Sequence, residues 1–582
     1  MNKKYIVVSI FVICIVLALL FFFYYKNSIR KENNKSQNSI DSIEVSVDFD
    51  NGDEKIDWTK YPTKNYTLDN SITITDEGTY YLTGIIKDGS ITIQSNGNVR
   101  LILDNASITN SKGPAIYVKK AEDVVIVTKG DSYLEDGKNY VGYDSDVIGT
   151  IYSTSDITFD GEDTLKIRSN CEDAIVGKDD LKVVNGKYEI ISVDDGIRGK
   201  DSVYIKNGNF TVESGGDAIK STNDKDASKG FVYIENGNFN LNSSLDGIQA
   251  ESQLVIENGT FQITTGGGSI NSSDKDTWGK WGRSNSANSI SAKGLKAGIN
   301  IVIKNGVFEI DSSDDSIHSN NSVEIKRGTL KISSGDDGIH ADKEIILQDG
   351  SIDIQKSYEG IEASKITIEN GDIKIVSTDD GINVAGGNDS SAMNRPGANS
   401  YSGSDNILTI NGGNIYVDAS GDGLDANGSI YMNSGIVIVD GPENSRNGAL
   451  DYDKEFIVKG GTLFASSASG MAQGVSSNST IYNLFINFSS NYGKEDKVVI
   501  VDTNNQEILS YQSNKSFSSL VVASPLLTKG DYKILINGKE YETFTISSIT
   551  TQIGSSGGMN MRPGDRKPDG MPGGRRENDR PM

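Results

Sequence analysis

A segment close to Asp-Asp-Gly-Ile-x-Ala recurs along most of this chain, and its second acidic position returns at an almost fixed interval. Asp173, Asp195 and Asp217 stand 22 residues apart, as do Asp315, Asp337 and Glu359, and Asp380 follows after 21. A second mark keeps the same beat at Asn185-Gly186, Asn207-Gly208, Asn236-Gly237, Asn258-Gly259, Asn305-Gly306, Asp349-Gly350 and Asn370-Gly371. Two markers locked in phase define a repeat, and a repeat of this length folds as stacked units.

The content of one repeat selects among the architectures with this period. Leucine-rich repeats need Leu at fixed offsets and room for a helical segment. Here the apolar positions are mainly Ile, Val, Phe and Tyr, which favour strands. Leu181–Val184, Tyr188–Ile191 and Ile197–Gly199 read as three short strands, turned at Asn185-Gly186, Asp194-Asp195-Gly196 and Lys200-Asp201. Nothing is left for a helix, and Gly and Asn supply the positive φ that corners require. The expected fold is all-β: a right-handed parallel β-helix of about 22 residues per coil, its coils about 4.8 Å apart.

Stacking turns equivalent positions into columns. The Ile of each Asp-Gly-Ile should point inward, giving Ile197, Ile219, Ile248, Leu295, Ile317, Ile339, Ile361, Ile382 and Leu424. By strand alternation the next residue points outward. That column reads Arg198, Lys220, Gln249, Lys296, His318, His340, Glu362, Asn383, Asp425, from basic through histidine to acidic.

Along the chain, residues 1–26 read as an N-terminal transmembrane anchor. Lys3 and Lys4 precede an apolar run from Tyr5 to Tyr25 with no small-residue cleavage site, about the ~20 residues that span a bilayer. A single-pass anchor in the cell membrane, with the C-terminal domain extracellular, is expected. Residues 27–54 form a polar linker, 55–479 the β-helix and 480–553 a small antiparallel β cap. Residues 554–582, rich in Gly, Met, Pro and Arg, are expected to be disordered. Three insertions break the beat: Ser221–Lys229, Ser269–Ser289 with Trp278 and Trp281, and Gly386–Asp405 with Tyr401. Insertions in a solenoid are surface loops, often on the binding face. The net charge is −24; the first 35 residues carry +5 and residues 554–582 carry +2, which leaves −31 between them. Such a field argues against nucleic acid and for divalent cations. Cys14 and Cys171, one in the leader and one in the body, imply no structural disulfide.

The acidic column runs Asp173, Asp195, Asp217, Asp246, Lys293, Asp315, Asp337, Glu359, Asp380, Asp422, with Asp314, Asp336 and Asp379 doubling it in the dense region. Carboxylates about 5 Å apart repel by roughly 3 kcal/mol at an effective dielectric of ~20. Corner N–H groups and Lys293 are one remedy. Bound Ca²⁺ among Asp314, Asp315, Asp336, Asp337, Glu359, Glu362, Asp379 and Asp380 is the other, since the ion takes six to eight oxygens. His318 and His340 share a column on adjacent coils without an evident third ligand, and are expected to be stacked surface histidines.

The ordered corner series resembles a known family. Lys293-Gly-Leu-Lys296-Ala297-Gly298 is followed by Asp314-Asp-Ser-Ile-His-Ser, Asp336-Asp-Gly-Ile-His-Ala and Tyr358-Glu-Gly-Ile-Glu-Ala, and ends in Asp379-Asp-Gly-Ile-Asn-Val-Ala-Gly-Gly-Asn388-Asp389. It is similar to the carbohydrate-binding β-helix family of clostridia, which is similar in fold to family 9 pectate lyases. The resemblance spans roughly residues 55–550, including the Gly78-Thr-Tyr-Tyr-Leu-Thr-Gly84 opening. It implies a right-handed β-helix, bound Ca²⁺, and binding of cellulose or acidic plant polysaccharide without established catalysis. A calcium-dependent lyase would need a neutral lysine as base, and Lys293, Lys296 and Lys220 are the candidates. Carboxylates around Lys293 should keep it protonated instead. For binding, Trp278, Trp281 and Tyr401 offer aromatic faces, while Arg198, Lys220 and Lys296 offer cations. A cell-surface adhesin or spacer with no sugar specificity is the remaining alternative.

Overall fold

Each repeat divides at its corners into three strands, such as Asp180–Val183, Lys187–Ser192 and Ile197–Gly199, then Ser202–Ile205, Asn209–Ser214 and Ile219–Ser221. Each of these strands pairs in parallel with its equivalent in the next coil, so three sheets run along the coils. Sheet 1 holds Ile197–Gly199 and its equivalents, sheet 2 Ser202–Ile205 and sheet 3 Asn209–Ser214. The computed structural model describes residues 56–272, 291–385 and 406–554. They form the expected parallel β-helix, each strand neighbouring its equivalents in the coils on either side. Helix is confined among them to two short 3₁₀ turns, Trp58–Lys60 and Ser269–Asn271.

The inward column holds in register from coil to coil. Ile197, Ile219, Ile248, Leu295, Ile317, Ile339, Ile361, Ile382 and Leu424 are successive partners in sheet 1. All are fully buried, each contributing roughly 1.5–3 kcal/mol. Sheet 3 adds a run of rings inside the coil: Phe210, Phe239, Phe261 and Phe308 stack with centroids 4.9, 4.6 and 4.6 Å apart. Only a repeat without slippage can align four identical side chains this way.

The corners need glycine for two different reasons. Gly208 has φ +150, and a Cβ there would lie 2.8 Å from the Phe210 ring. Gly338, in an Asp-Gly-Ile corner, has no room: a Cβ would sit 2.6 Å from the Gly360 carbonyl oxygen. The corner asparagines do not take positive φ as expected. Positive φ outside glycine among the described residues is limited to Asn105, Asn505 and Asn537. The corner asparagines instead link coil to coil, Asn207 Nδ2 donating to Asn185 Oδ1 at 3.0 Å and Asn258 to Asn236 at 3.3 Å.

The insertion after Ser221 is pinned to the coil below, with Asn223 Nδ2 donating to Asp201 Oδ1 at 2.7 Å and Lys229 Nζ 2.5 Å from Asp201 Oδ2. Trp278, Trp281 and Tyr401 lie outside the described residues, as does the apolar run Tyr5–Tyr25. No helix among the described residues is long and apolar enough to cross a membrane. At the C-terminal end, Glu507–Gln512, Lys497–Asp502, Gly530–Ile536 and Lys539–Ile546 make an antiparallel sheet. Phe517–Ala523 is not part of that sheet, although Leu520–Ala523 reads as one of its strands. It runs antiparallel to Thr462–Ser467 and Asn483–Tyr492, closing the last coil.

Candidate functional site

The acidic column is first of all a set of caps. In most coils one carboxylate oxygen accepts the backbone N–H of the next member: Asp195 N to Asp173 Oδ1 at 3.0 Å, Asp217 N to Asp195 at 2.9 Å, Asp246 N to Asp217 at 2.7 Å, Lys293 N to Asp246 at 2.8 Å. The pattern resumes with Asp337 N on Asp315 at 3.0 Å and Asp422 N on Asp380 at 2.6 Å. Buried corner N–H groups need such acceptors, which explains one oxygen per carboxylate. The second oxygen faces the outward column of sheet 1.

That column holds in register, Arg198, Lys220, Gln249, Lys296, His318, His340, Glu362, Asn383 and Asp425 being successive partners. At the basic end each cation is engaged. Arg198 Nη1 lies 3.2 Å from Asp173 Oδ2, Lys220 Nζ 2.6 Å from Asp217 Oδ2 and Lys296 Nζ 2.8 Å from Asp246 Oδ2. Their side chains remain 32, 24 and 27 % exposed, so they also face solvent. The histidines stack as expected, rings 4.8 Å apart and 7° from parallel, but they are not on the surface: both are buried. Their partners account for that, since His318 Nδ1 is 2.8 Å from Asp315 Oδ2, and His340 Nδ1 is 2.9 Å from Glu362 Oε2 and 3.2 Å from Asp337 Oδ2.

Charge balance changes at this point. Lys293 Nζ sits 2.5 Å from Asp315 Oδ2 and 3.1 Å from Asp314 Oδ1. Burial opposes its charge, but the two aspartates outweigh burial and hold the ammonium above its ordinary range. Lys220 is likewise raised, burial being overcome by Asp217 and Asp195. Asp315 is buried too, yet Lys293 and His318 keep it well below the usual carboxylate range. His340, against burial, is pushed up to about 12 by Asp337 and Glu362. Beyond it the column offers no further cation. Burial first, then neighbouring acids, pushes Glu359 and Asp380 well up, Asp422 to about 6 and Asp425 to about 8.

Ligand atoms of Asp314, Asp315 and Asp336 lie within 4.8 Å of one another, as do those of Asp337, His340 and Glu362, and of Asp380, Asp422 and Asp425. Asn383 stands between the last two groups. It is 4 % exposed, its Nδ2 donates to Glu359 Oε2 at 2.8 Å, and its Oδ1 has no hydrogen-bond partner. A buried amide oxygen without a donor, beside carboxylates without cations, fits a hard cation. Asp422 and Asp425 were not among the predicted metal ligands, although their place in the two columns was legible.

A groove of about 230 Å³ opens over sheet 1 at the basic end, lined by Lys178, Arg198 and Lys200, by the acids Asp146 and Glu172, and by Ile148 and Val176 among others. Ile148 and Val176 of its lining pack with Tyr117, Tyr152, Tyr140 and Tyr143. Of the predicted binding residues, Arg198 lines this groove. Lys178 and Lys200 escaped notice because a column argument follows one position per coil, and they sit two positions further on.

Residues 68–338 match a family model described as carbohydrate-binding domain-containing protein. A protein of that description from Acetivibrio thermocellus is 33 % identical over 126 residues, covering 20 % of this chain and 44 % of that protein. The chain thus spans less than half the length of that relative. A solved polysaccharide lyase-like protein from C. thermocellum, a gadolinium derivative, is 23 % identical, with 50 % of this chain and 99 % of that one covered. Its TM-score of 0.32 is too slight a likeness to bear on the site. The family that the corner motifs resemble is the one whose model the chain matches over residues 68–338.

Proposed function

We propose that the β-helix binds polysaccharide along the outer face of sheet 1, with Ca²⁺ held at the acidic end, and does not cleave it. The charge reversal along one column carries this reading. Paired cations and a groove occupy one end; the other holds uncompensated carboxylates and the partnerless Asn383 oxygen. Glu359, Asp380, Asn383, Asp422 and Asp425 would hold the ion, which supplies a positive centre able to bridge uronate carboxylates. Arg198, Lys178 and Lys200 would receive further carboxylates or ring hydroxyls, so an acidic polysaccharide of plant type fits better than neutral cellulose. The match to carbohydrate-binding proteins supports the ligand class.

A lyase would require a base that loses its proton near neutral pH. Lys293 and Lys220 are both held protonated by the carboxylates they contact. An N-terminal anchor at residues 1–26 would display the domain on the outside of the cell, a placement that membrane fractionation and surface proteolysis would test.

The test of the site is titration of the full chain with oligogalacturonide, in calcium and in EDTA, while ultraviolet absorbance follows unsaturated product. Binding should need calcium, weaken about tenfold in Asp425→Asn, and generate no absorbance. Equal binding in EDTA removes calcium from the site. A rising absorbance abolished by Lys293→Ala makes the protein a lyase, and no binding to any glycan leaves the adhesin or spacer role.

A further inference from the structure

The outward column of sheet 1 continues beyond Arg198 toward the N-terminus. Val176, Tyr152 and Tyr117 precede it in register, on Asp173–Gly177, Gly149–Ser153 and Ile116–Lys120. Alternation turns all three outward, as it does Arg198. Yet Tyr117 is 9 %, Tyr152 1 % and Val176 2 % exposed, where Arg198 and Lys220 keep 32 and 24 % of their side chains in water. The cover is the segment 137–148, which joins Ser132–Glu135 of sheet 3 to Gly149–Ser153 of sheet 1. Tyr140, Tyr143, Val147 and Ile148 of this strap pack with the three column residues.

The strap is fastened near both ends. The Tyr140 hydroxyl donates to Asp136 Oδ2 at 2.7 Å, and the Val141 N–H to the Lys112 carbonyl at 2.8 Å. Asp146 Oδ2 accepts the Tyr152 hydroxyl at 3.0 Å and lies 3.6 Å from Lys178 Nζ. Between these ties the Tyr143 ring rests on bare backbone, since a Cβ at Gly113 would fall 2.3 Å from it. The crest stands clear, with Val141 67 % exposed. Asp146 and Ile148 of the strap line the groove over sheet 1 together with Arg198, one coil beyond Val176.

We propose that the strap is an end stop: the sheet 1 face receives a terminus of an acidic polysaccharide against residues 137–148, and the rest of the glycan runs toward Asp425. The inference rests on the function proposed above and adds which part of the ligand is recognised. Sterics give the first reason, since a chain that follows the column past Arg198 meets the strap and not an open face. Charge gives the second. Glu172 is exposed and the Asp146 side chain is 60 % exposed, so two carboxylates stand at the stop. They repel the carboxylate of a further uronate, and they accept hydrogen bonds from the hydroxyl that only a terminal sugar leaves unlinked. Arg198 and Lys200, just before the stop, receive the carboxylates of the last residues.

The experiment titrates the full chain, in calcium, with polygalacturonate and with the same material partly hydrolysed, and counts protein bound per mass of uronate. Capacity should follow the number of chain ends, rising about tenfold for chains about tenfold shorter. Gly113→Leu, which takes the seat of the Tyr143 ring, and Tyr143→Ala, which removes the ring, should loosen the strap, and thermal melts verify the fold of each. Both should bind along the long polymer, raising capacity on it severalfold and flattening the dependence on length. Capacity that follows uronate mass at both lengths in the wild type overturns the end stop and leaves polysaccharide binding standing. A length dependence that both folded variants keep also overturns it. Should neither variant fold, the wild-type comparison decides alone. Absence of binding at both lengths overturns the function proposed above and this inference with it.

Discussion

A carboxylate of the acidic column has two tasks, one for each oxygen, and they can be separated by substitution. Asp217 accepts the Asp246 N–H through Oδ1 and pairs with Lys220 through Oδ2. Asp217→Asn keeps an acceptor for the N–H and removes the charge. Asp217→Ala removes both, leaving a buried donor without an acceptor and the Lys220 ammonium with only Asp195, 3.7 Å away. Urea denaturation should find the alanine variant less stable by about 2–4 kcal/mol and the asparagine variant by less than half of that. Equal losses would mean that the ion pair, and not the cap, is what Asp217 supplies. Because Asp217 lies far from the proposed ion site in sequence, calcium should stabilise both variants as it does the wild type.

A strand of this molecule is stable only through its neighbours above and below. The Phe210, Phe239, Phe261 and Phe308 stack makes that dependence measurable, since Phe239 touches a ring on each side. Phe239→Ala should cost about 3–5 kcal/mol, the range for emptying an aromatic core site. In a solenoid that loss stays local before it spreads. Hydrogen exchange should therefore quicken first in Asn209–Ser214 and Thr260–Thr265, the strands paired with Asn238–Ser243. Uniform quickening across all coils would show that the helix melts as one cooperative unit. The outward faces are freer to differ, as the charge gradient along sheet 1 shows, over one shared core.

The whole molecule concentrates carboxylates whose protonation folding favours. Burial, with neighbouring acids, raises Asp173 to about 7, Asp217 to about 6, Asp422 to about 6 and Asp425 to about 8. Their unfolded values lie near 3.9. Between those limits the folded chain binds more protons than the unfolded one, so stability falls as pH rises. In EDTA the melting temperature should decline from about pH 4 to about pH 8. His340, raised to about 12, acts in the same direction above its unfolded value of about 6.5. Calcium that binds only the folded chain should restore the loss at pH 8, by about 2.7 kcal/mol at a hundred times Kd, and do little at pH 5. A melting temperature that rises with pH in EDTA would show that the acids are ionised and satisfied within the protein alone.

Periodicity was the strongest signal in the amino-acid sequence, and it determined the columns. Ile197 through Leu424 face inward and Arg198 through Asp425 stand beside them because a two-residue alternation repeated every 22 residues permits one register only. What periodicity does not carry is the distance between side chains of different columns. The pairing of Arg198 with Asp173, Lys296 with Asp246 and His340 with Glu362 joins residues of neighbouring coils, and it buries histidines that alternation alone would leave exposed. The partnerless Asn383 oxygen and the ligand set completed by Asp422 and Asp425 arise the same way. The sequence by itself determined which residues share a column; the tertiary structure decided which columns touch, because contact between them depends on how far each side chain reaches across a corner.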